Sequence, residues 1–460
     1  MTKFAELVAW LLAPAIFVAM IAVTGPTNLM GDFRAFYCAG KVVAHGANPY
    51  LEEPLHSCEV RAQPPAVPAF LPSVTIPAPL PPTALAAFVP LTLLPFPYAA
   101  AVYVLLLIAA MIGAVALFAR ATGVSSILLN LAFAGITATQ TYFLGQPTPF
   151  VFLALAAAAV FVRSGRWIAA SACAVAALAE PAIAPPVLLA MLIALPRTRL
   201  PIVALGALFG AAGAAVSGLP VSIAYVRDVV PAHALSNAYE WQFSLTSILT
   251  SIGVAAPPAV RAGEVMYGVM VILGVGIALR MWRSRGDRTA LVLIPPAFAV
   301  FGGVHVHAQQ IAVAFPAILA IYAQYPRLRN MAATAVALVM IPWNVMSASV
   351  MTGFIPLLIG WFARATMGAR RGLVLTGVAA LIAVSVLALA LAGAGPPDTH
   401  FVARSYPPGA LAESSWGDFS RAVLARPSVL LQWLRIPVLA GLAIGLITIT
   451  RAACTPQVQV

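Results

Sequence analysis

The sequence predicts an all-α polytopic membrane protein, a multi-span helical bundle with about 11–14 membrane segments of roughly 20 residues each. Composition is the first observation, because 62% of the 460 residues are hydrophobic and only 8% are charged. Soluble domains carry about 25% charged residues, so this chain lacks the polar groups that would cover a surface in water. The composition therefore excludes a soluble enzyme, a disordered chain and a small disulfide-stapled secreted domain.

Apolar runs separated by short connections are the second observation. The first run lacks a small-residue cleavage site, so we expect it to be retained rather than removed as a signal peptide. Some runs, such as 167–180 and 183–195, are shorter than a full crossing and are typical of tilted pairs or half-crossings beside a cavity. The fourteen runs lie at about residues 8–24, 98–119, 126–144, 147–162, 167–180, 183–195, 200–217, 262–280, 289–304, 308–323, 331–345, 350–363, 372–394 and 431–450.

The distribution of charge is the third observation, and it predicts the orientation. With the N-terminus inside, alternate short connections contain 16 of the 25 basic residues but only two of the 13 acidic residues. Cytoplasmic connections are the ones enriched in Lys and Arg, so we expect both termini in the cytoplasm. The net charge of +12 then reflects membrane orientation, and we expect no nucleic-acid partner because no soluble domain carries a basic face.

Three long segments, 25–97, 218–261 and 395–430, all fall on the outer side of this arrangement. Long ordered loops in compact proteins are usually functional, so we expect the chemistry outside the cytoplasm. We divide the chain into a transmembrane core over residues 1–323, with the first two outer loops, and C-terminal transmembrane segments over residues 324–460, with the third.

The cysteines and the remaining motifs bear on cofactors. Cys38 and Cys58 fall in the first outer loop, where a disulfide is chemically permitted, and a bonded pair and two free thiols both stay open. Cys173 and Cys454 are expected to be packing residues. The four cysteines match no zinc or haem spacing. With no acidic pair at metal-ligand spacing and no glycine-rich phosphate loop, we expect no cofactor, no obligate metal and no nucleotide-linked donor.

The run GDFRAFYCAGKVVAHGANPYLEE directly follows the first apolar run. Its pattern predicts a short amphipathic helix from Phe33 to about His45, ended by Gly46. Asp32 would be the N-cap of this helix or the residue just before it. One interpretation is that Asp32 only caps the helix, and the other is that its carboxylate is a functional group at the membrane surface.

The next stretch, from Pro64 to Pro97, is dense in proline and apolar throughout. Its run PAPLPPTALAAFVPLTLLPFPY predicts a helix lying on the bilayer surface, with Phe88, Phe96 and Tyr98 at the headgroup boundary. A proline-rich linker is the alternative, and the apolar character of the stretch favours the interfacial helix.

These segments together resemble glycosyltransferase family 87, a family of the GT-C membrane architecture whose members use polyprenyl-phosphate-linked sugars. The resemblance begins with DFRAFYCAG and GANPY and continues through PLPPTALAAFVPLTLLP. The run LGQPTPFVFLALAAAAVFVRSGRWIAASACAVAALAEPAIAPP is similar to the family's Gly-Gln hairpin, basic turn and charged-residue-Pro element. QFSLTSIL and GGVHVHAQQIAVAFP resemble two further segments, so that the motifs follow the family's order over about residues 31–323.

The resemblance implies a membrane glycosyltransferase that moves a sugar, mannose or arabinose, from a polyprenyl phosphate to a glycolipid or glycan acceptor with inversion. Its partners would be the bilayer, the lipid-linked sugar and the acceptor. The active site would lie on the extracytoplasmic side of a bacterial inner membrane. Asp32 corresponds to the family's catalytic aspartate, a general base that takes the proton of the acceptor hydroxyl.

A second group of candidates, His305, His307, Gln309 and Gln310, clusters at the outer end of two apolar runs. Clustered polar side chains at the end of a span are typical of a cavity wall, and the resemblance implies contact with donor phosphate or sugar. A spacer turn with two interfacial histidines is the alternative. The family commonly has an acidic residue at the position of Gln310.

Glu180 departs from the family more sharply. Many relatives have Lys-Pro where this chain has Glu180-Pro181, and a glutamate there would repel the phosphate that the cation can meet. Either the phosphate is held elsewhere, or the activity differs from the family's or is lost. An arginine suits a phosphate best, and the outer cations available are Arg34, which we place first because it is closest to Asp32, and then Lys41, Arg227 and Arg261.

The remaining candidates for substrate binding are polar or aromatic. Gln146 in LGQPTP fits an amide that faces a cavity, or a hairpin turn with its glycine and proline neighbours. Trp241 fits a platform for a stacked sugar, or an interface anchor. The others are Tyr37 of the first outer helix and Asn237, Glu240 and Gln242 of the second outer loop.

Two other classes of function stay open. A secondary transporter would show internal repeats and ionisable residues at the bilayer midplane, whereas only Glu180 falls near the interior of a span and neither half of the sequence repeats the other. A non-catalytic membrane protein with the same fold is the second alternative, and the residues at positions 180 and 310 keep it open.

Overall fold

The protein is built from helices, which a computed structural model describes over residues 3–24, 29–62, 74–340, 405–424 and 435–455. Within these ranges, the β-structure is one isolated bridge between Leu51 and Leu411. The helices are α1 Lys3–Thr24, α2 Gly31–Ala44, α3 Glu52–Ala62, α4 Pro82–Ala86, α5 Phe96–Thr122, α6 Ser126–Ile136, α7 Thr148–Arg163, α8 Trp167–Ala176, α9 Ala184–Ala194, α10 Pro196–Ser217, α11 Leu219–Ala224, α12 Val230–Ser236, α13 Leu245–Ser251, α14 Ala256–Arg285, α15 Ala290–Gly302, α16 Ala308–Ile311, α17 Phe315–Gln324, α18 Arg329–Met340, α19 Ala412–Phe419 and α20 Arg435–Cys454. Short 3-10 turns join several of them, and π-helical segments follow α6 (Thr137–Phe143), α11 (Tyr225–Val229) and α19 (Ser420–Leu424).

Four of the described helices, α5, α10, α14 and α20, are long and apolar enough to cross a membrane. Shorter apolar helices, among them α7, α9 and α15, lie between them in the chain. These helices fit the predicted all-α polytopic membrane protein, whereas the number of crossings and the side of each terminus stay predictions. The predicted runs 350–363 and 372–394 lie outside the described residues, and 331–345 is described as far as Met340.

Small residues let neighbouring helices approach closely, as association in lipid requires. Gly441 and Gly445 lie one turn apart on α20, where it packs against α17 and α18. A Cβ atom on Gly445 would lie 2.5 Å from Ile318, and one on Gly441 would lie 2.8 Å from Leu338. Any side chain at these two positions would therefore push α20 away from its neighbours.

The bundle has two chemically different ends. Phe96, at the start of α5, stacks on Phe33 of α2 with ring centroids 5.7 Å apart. The 27 residues of α5 span about 40 Å. At the other end of α5, Arg163 donates to the carbonyl oxygen of Ala121 at 3.0 Å. Arg163 and Arg285 line one cavity there. The connections around residues 120, 163 and 285, which the charge pattern predicts to be cytoplasmic, thus meet at one end, and α2 lies at the other.

The first outer segment contains the predicted amphipathic helix. α2 runs from Gly31 to Ala44, and Phe33, Phe36 and Tyr37 are buried on it, as the pattern predicts. A disulfide joins Cys38 of α2 to Cys58 of α3. The structure thereby selects the bonded pair from the two alternatives that the sequence leaves open.

The proline-flanked segment is described from residue 74 onward and forms two short pieces, α4 and a 3-10 turn over Val89–Leu93. Leu93 is 84% exposed and Tyr98 is 68% exposed, which fits a segment lying against lipid. The placement of Phe88 at the headgroup boundary is wrong, because its ring is buried against Phe36 with centroids 5.4 Å apart.

Candidate active site

The first turn of α2 is fixed to the turn that follows the π-helical segment Thr137–Phe143. The backbone N–H of Asp32 donates to the carbonyl oxygen of Leu144 at 3.0 Å, and that of Met30 donates to Phe143 at 2.6 Å. Gly145 allows this approach because it has φ +81°, and a Cβ atom on it would lie only 2.6 Å from the Cβ of Phe33. The contact brings two segments together that are more than a hundred residues apart in the chain.

Asp32 uses its carboxylate in this contact and not as a helix cap. The helix begins at Gly31, its N-cap is Met30 in the left-handed conformation, and no side chain makes a capping hydrogen bond. The prediction that Asp32 is the N-cap or precedes it is therefore wrong. Instead, Oδ2 of Asp32 accepts a 2.5 Å hydrogen bond from Nε2 of Gln146. Burial raises the pKa of Asp32 to about 6, although the Gln146 hydrogen bond and the Arg34 charge act to lower it.

Asp32 and Gln146 form part of the wall of a cavity of about 530 Å³. The wall also contains Glu180, Asn237, His305, His307, Gln309 and Gln310. With Glu240, which is also in the wall, the structure brings nine of the sequence-predicted site residues together from five separate segments of the chain. The remaining wall residues are Gly31, Phe36, Ile76, Pro77, Pro79, Leu80, Gln140, Leu144, Pro181, Tyr225, Val230, His233, Trp416, Phe419 and Val423.

Glu180 and Gln310 are hydrogen-bonded to each other in this wall. Nε2 of Gln310 donates to Oε1 of Glu180 at 2.7 Å, while Oε1 of Gln310 accepts from the backbone N–H of His307 at 3.0 Å. The amide therefore holds the carboxyl group and the start of α16 in one arrangement.

Part of the predicted third outer loop closes one side of the cavity. Nε1 of Trp416 on α19 donates to Oδ1 of Asn237 at 3.2 Å and also donates to the carboxylate of Glu240. Burial raises the pKa of Glu240 to about 7, while the Trp416 hydrogen bond and His233 act to lower it. Glu413, on the same helix, accepts from Ser236 Oγ at 2.7 Å.

Three histidines lie next to one another along the cavity. The ring of His233 packs edge-on against that of His305 at 4.9 Å between centroids, and the His305 and His307 centroids are 6.5 Å apart. Nδ1 of His233 lies 3.0 Å from Oε1 of Glu413. Burial opposes the charged form of His233, but Glu413 and the other nearby carboxylates outweigh it and raise its pKa. Burial and the neighbouring histidines lower the pKa of His305 well below its usual value, and burial and His233 lower that of His307 to about 4.

Two buried polar atoms of the wall have no hydrogen-bond partner among the described residues. They are Nδ1 of His305 and Oε1 of Gln309. Buried polar atoms in proteins are nearly always hydrogen-bonded, so these two atoms are available to a polar ligand such as a hydroxylated sugar.

Three of the predicted binding residues on α2 do not belong to the cavity wall. Arg34 is buried behind Asp32, and its pKa is lowered by burial against the charges of Glu59 and Asp32. Tyr37 donates its hydroxyl to the carbonyl oxygen of Leu94 at 2.9 Å. Lys41 is exposed. Of the other predicted phosphate-binding cations, Arg227 pairs with Asp228 and Arg261 is exposed, and neither belongs to the wall.

Two candidates from the second outer loop also lie outside the wall. Trp241 packs edge-on against Phe243 with centroids 4.8 Å apart. Gln242 accepts from the backbone N–H of Val306 at 3.0 Å and donates to the carbonyl oxygen of Asn237 at 3.1 Å. Gln242 thereby connects the second outer loop to the segment that contains His305 and His307, and it lies behind the cavity wall.

Sequence reasoning missed His233, Gln140, Glu413 and Trp416. Trp416 and Glu413 could have been selected as candidates from the sequence, because both lie in the run AESSWGDF within a long predicted outer loop. His233 lies in the second such loop, four residues before Asn237. Gln140 carried no signal, because it lies inside a run that reads as a membrane span.

Comparison with known proteins supports one family. Residues 80–304 match the model of glycosyltransferase family 87. The matched range is 225 of the 460 residues, just under half of the chain, and it supports the assignment of the chain to that family. It confirms the resemblance seen in the sequence motifs and indicates a membrane glycosyltransferase. Neither a curated protein nor a solved structure matched the chain.

The family match includes part of the cavity wall, with Gln146, Glu180, His233, Asn237 and Glu240. Asp32, the residues 305–310 and Trp416 lie outside the matched range. Their roles therefore depend on the geometry of the cavity and on the sequence motifs, not on the family match.

Proposed function

We propose that this family 87 protein transfers a sugar, mannose or arabinose, from a polyprenyl phosphate to a hydroxyl of a glycolipid or glycan acceptor, with inversion at the anomeric carbon. We place the reaction on the extracytoplasmic side of a bacterial inner membrane, because the predicted outer loops supply the cavity wall. The observation that supports the proposal most is Asp32, a carboxyl group in the cavity wall with a pKa of about 6.

In the proposed reaction, Asp32 accepts the proton of the acceptor hydroxyl while the hydroxyl oxygen bonds to the anomeric carbon. The bond between that carbon and the phosphate oxygen breaks, and its electron pair leaves with the polyprenyl phosphate. A base works best when its pKa is near the working pH, and Gln146 orients this one through its hydrogen bond. The unpartnered atoms of His305 and Gln309 would bind sugar hydroxyls. The lipid-linked sugar is a co-substrate, and the proposal includes no metal or cofactor.

The test is sugar transfer by the full chain in lipid nanodiscs, with radiolabelled polyprenyl-phosphate mannose or arabinose as donor and glycolipid or glycan fractions as acceptors. Asp32→Asn is expected to lower the rate about 10²- to 10⁴-fold, the usual contribution of a general base. Asp228→Asn is the matched control, because Asp228 pairs with Arg227 outside the cavity wall. Equal rates for the two variants would contradict the assignment of Asp32, and wild-type donor binding without transfer would favour the non-catalytic alternative.

A further inference from the structure

The acidic groups of the cavity wall are unfavourable for a reaction that releases a phosphate. It contains the carboxyl groups of Asp32, Glu180 and Glu240 and, among the described residues, no lysine or arginine. Like charges a few ångströms apart repel strongly when water is excluded. The departing phosphate gains negative charge as its bond to the sugar breaks, so a positive group or a strong hydrogen-bond donor is required beside it.

The three histidines are the nitrogen bases in the described wall, and they are not equivalent. His233 has a carboxylate partner, Glu413, at 3.0 Å from its Nδ1 atom. Ser236 holds the other oxygen of Glu413 at 2.7 Å, so the carboxylate is fixed against the ring. The side-chain nitrogen of Asn237 lies 2.8 Å from both ring nitrogens of His233, a position across the face of the ring, out of line with the in-plane N–H directions.

We propose that the Glu413–His233 pair is the phosphate-binding group of this active site, with the imidazolium of His233 donating through Nε2 to the leaving phosphate oxygen. The inference rests on the proposed function, because it assigns the leaving group of that reaction. Glu413 fixes the tautomer through Nδ1 and stabilises the positive charge, and it leaves Nε2 of this wall residue as the nitrogen that can donate to a phosphate. The leaving oxygen takes the electron pair of the broken bond, and the imidazolium neutralises it by this hydrogen bond.

The charges around His233 support a cation at this position. The titratable groups that face it are Glu413 from α19, Glu240 and Glu180 from two cavity segments, and His305 and His307 from the segment before α16. The three carboxylates raise its pKa against burial, whereas the pKa values of His305 and His307 are lowered. The neighbouring carboxylates therefore favour the charged form of His233, whereas burial and the neighbouring histidines favour the neutral forms of His305 and His307.

The experiment measures binding of farnesyl phosphate, a short soluble polyprenyl phosphate, to the full chain in nanodiscs at several pH values, together with sugar transfer. His233→Gln is expected to weaken farnesyl phosphate binding roughly tenfold to a hundredfold, the effect of losing one charge-assisted hydrogen bond. Glu413→Gln keeps the ring but removes its carboxylate, so binding is expected to be lost at a lower pH than in the wild type. His233→Arg is expected to restore binding and to make it independent of pH above neutrality.

Two matched controls separate this role from general damage. His45→Gln changes an exposed histidine at the end of α2, and Asp418→Asn changes an acid on α19 that pairs with Arg421. Both variants are expected to bind farnesyl phosphate as the wild type does, and thermal unfolding monitors folding in every variant. Unchanged binding and an unchanged pH profile in both His233→Gln and Glu413→Gln would overturn the inference. If the wild type transfers sugar in that case, the proposed function survives, whereas His233-dependent binding without any transfer would refute only the proposed function.

Discussion

Replacing Gly145 by alanine is expected to displace Asp32 without changing any charge in the cavity. Gly145 has φ +81°, and its missing side chain leaves room for the first turn of α2. Alanine would place a Cβ atom 2.6 Å from the Cβ of Phe33. The residue next to Phe33 is Asp32, so movement of this turn also moves the carboxylate.

Two effects set the size of the change. The left-handed conformation costs a residue with a side chain about 1–2 kcal/mol. Carbon atoms in ordinary contact lie about 3.5–4.0 Å apart, so Phe33 must retreat by about 1 Å from the new Cβ atom. A displacement of about 1 Å at a reacting group can lower a rate about a hundredfold. We therefore expect Gly145→Ala to lower the rate of sugar transfer by about two orders of magnitude, with a modest loss of thermal stability.

The assay is the nanodisc transfer reaction, with Gly46→Ala as the matched control. Gly46 also has a positive φ, +71°, but nothing lies within 4 Å of the position that its Cβ atom would occupy. Gly46→Ala therefore carries the backbone strain without the collision, and it should lose stability but keep its transfer rate. Similar rates for the two variants would refute the argument that Gly145 positions Asp32.

Two further predictions concern the cavity. Burial raises the pKa of Asp32 to about 6. The rate of sugar transfer should therefore fall about tenfold per pH unit below about pH 6, because the base becomes protonated. A rate that stays level down to about pH 4 would contradict this prediction. Trp416→Ala removes an aromatic side chain from the wall and is expected to raise the KM for the donor about fivefold to tenfold, whereas Trp241→Ala, outside the wall, should leave KM within about twofold in the same initial-rate measurements.

Local pattern was sufficient to predict α2. Its buried aromatic residues recur at helical spacing, and Gly46 follows directly after its end. The role of Asp32 as a cap was the natural local interpretation, since an acid at the start of a helix usually accepts from backbone N–H groups. Here the partner of the carboxylate is Gln146, 114 residues away in the chain. Local pattern carries no information about such a contact.

The choice of tryptophan shows the same limit. Trp241 and Trp416 both lie in predicted outer loops, and the sequence offers no reason to prefer the second. Trp416 reaches the cavity because α19 packs against α12, where Glu413 contacts His233 across 180 residues of sequence. The family motifs predicted that Gln146, Glu180 and the residues 305–310 belong to one site. Motif order can assign distant residues to one site because it reflects a shared fold, whereas a local pattern cannot.

The two departures from the family pattern are in contact with each other, and this bears on whether the site is active. Glu180 and Gln310, the two residues at which the chain departs from the pattern of the resemblance, form a carboxyl–amide hydrogen bond at 2.7 Å. This pair carries no positive charge that could meet a phosphate. A site without a substitute for that charge would bind a phosphate poorly. His233, a residue of the same cavity wall that pairs with Glu413, is the substitute that we propose, and with it a glutamate at position 180 is compatible with catalysis.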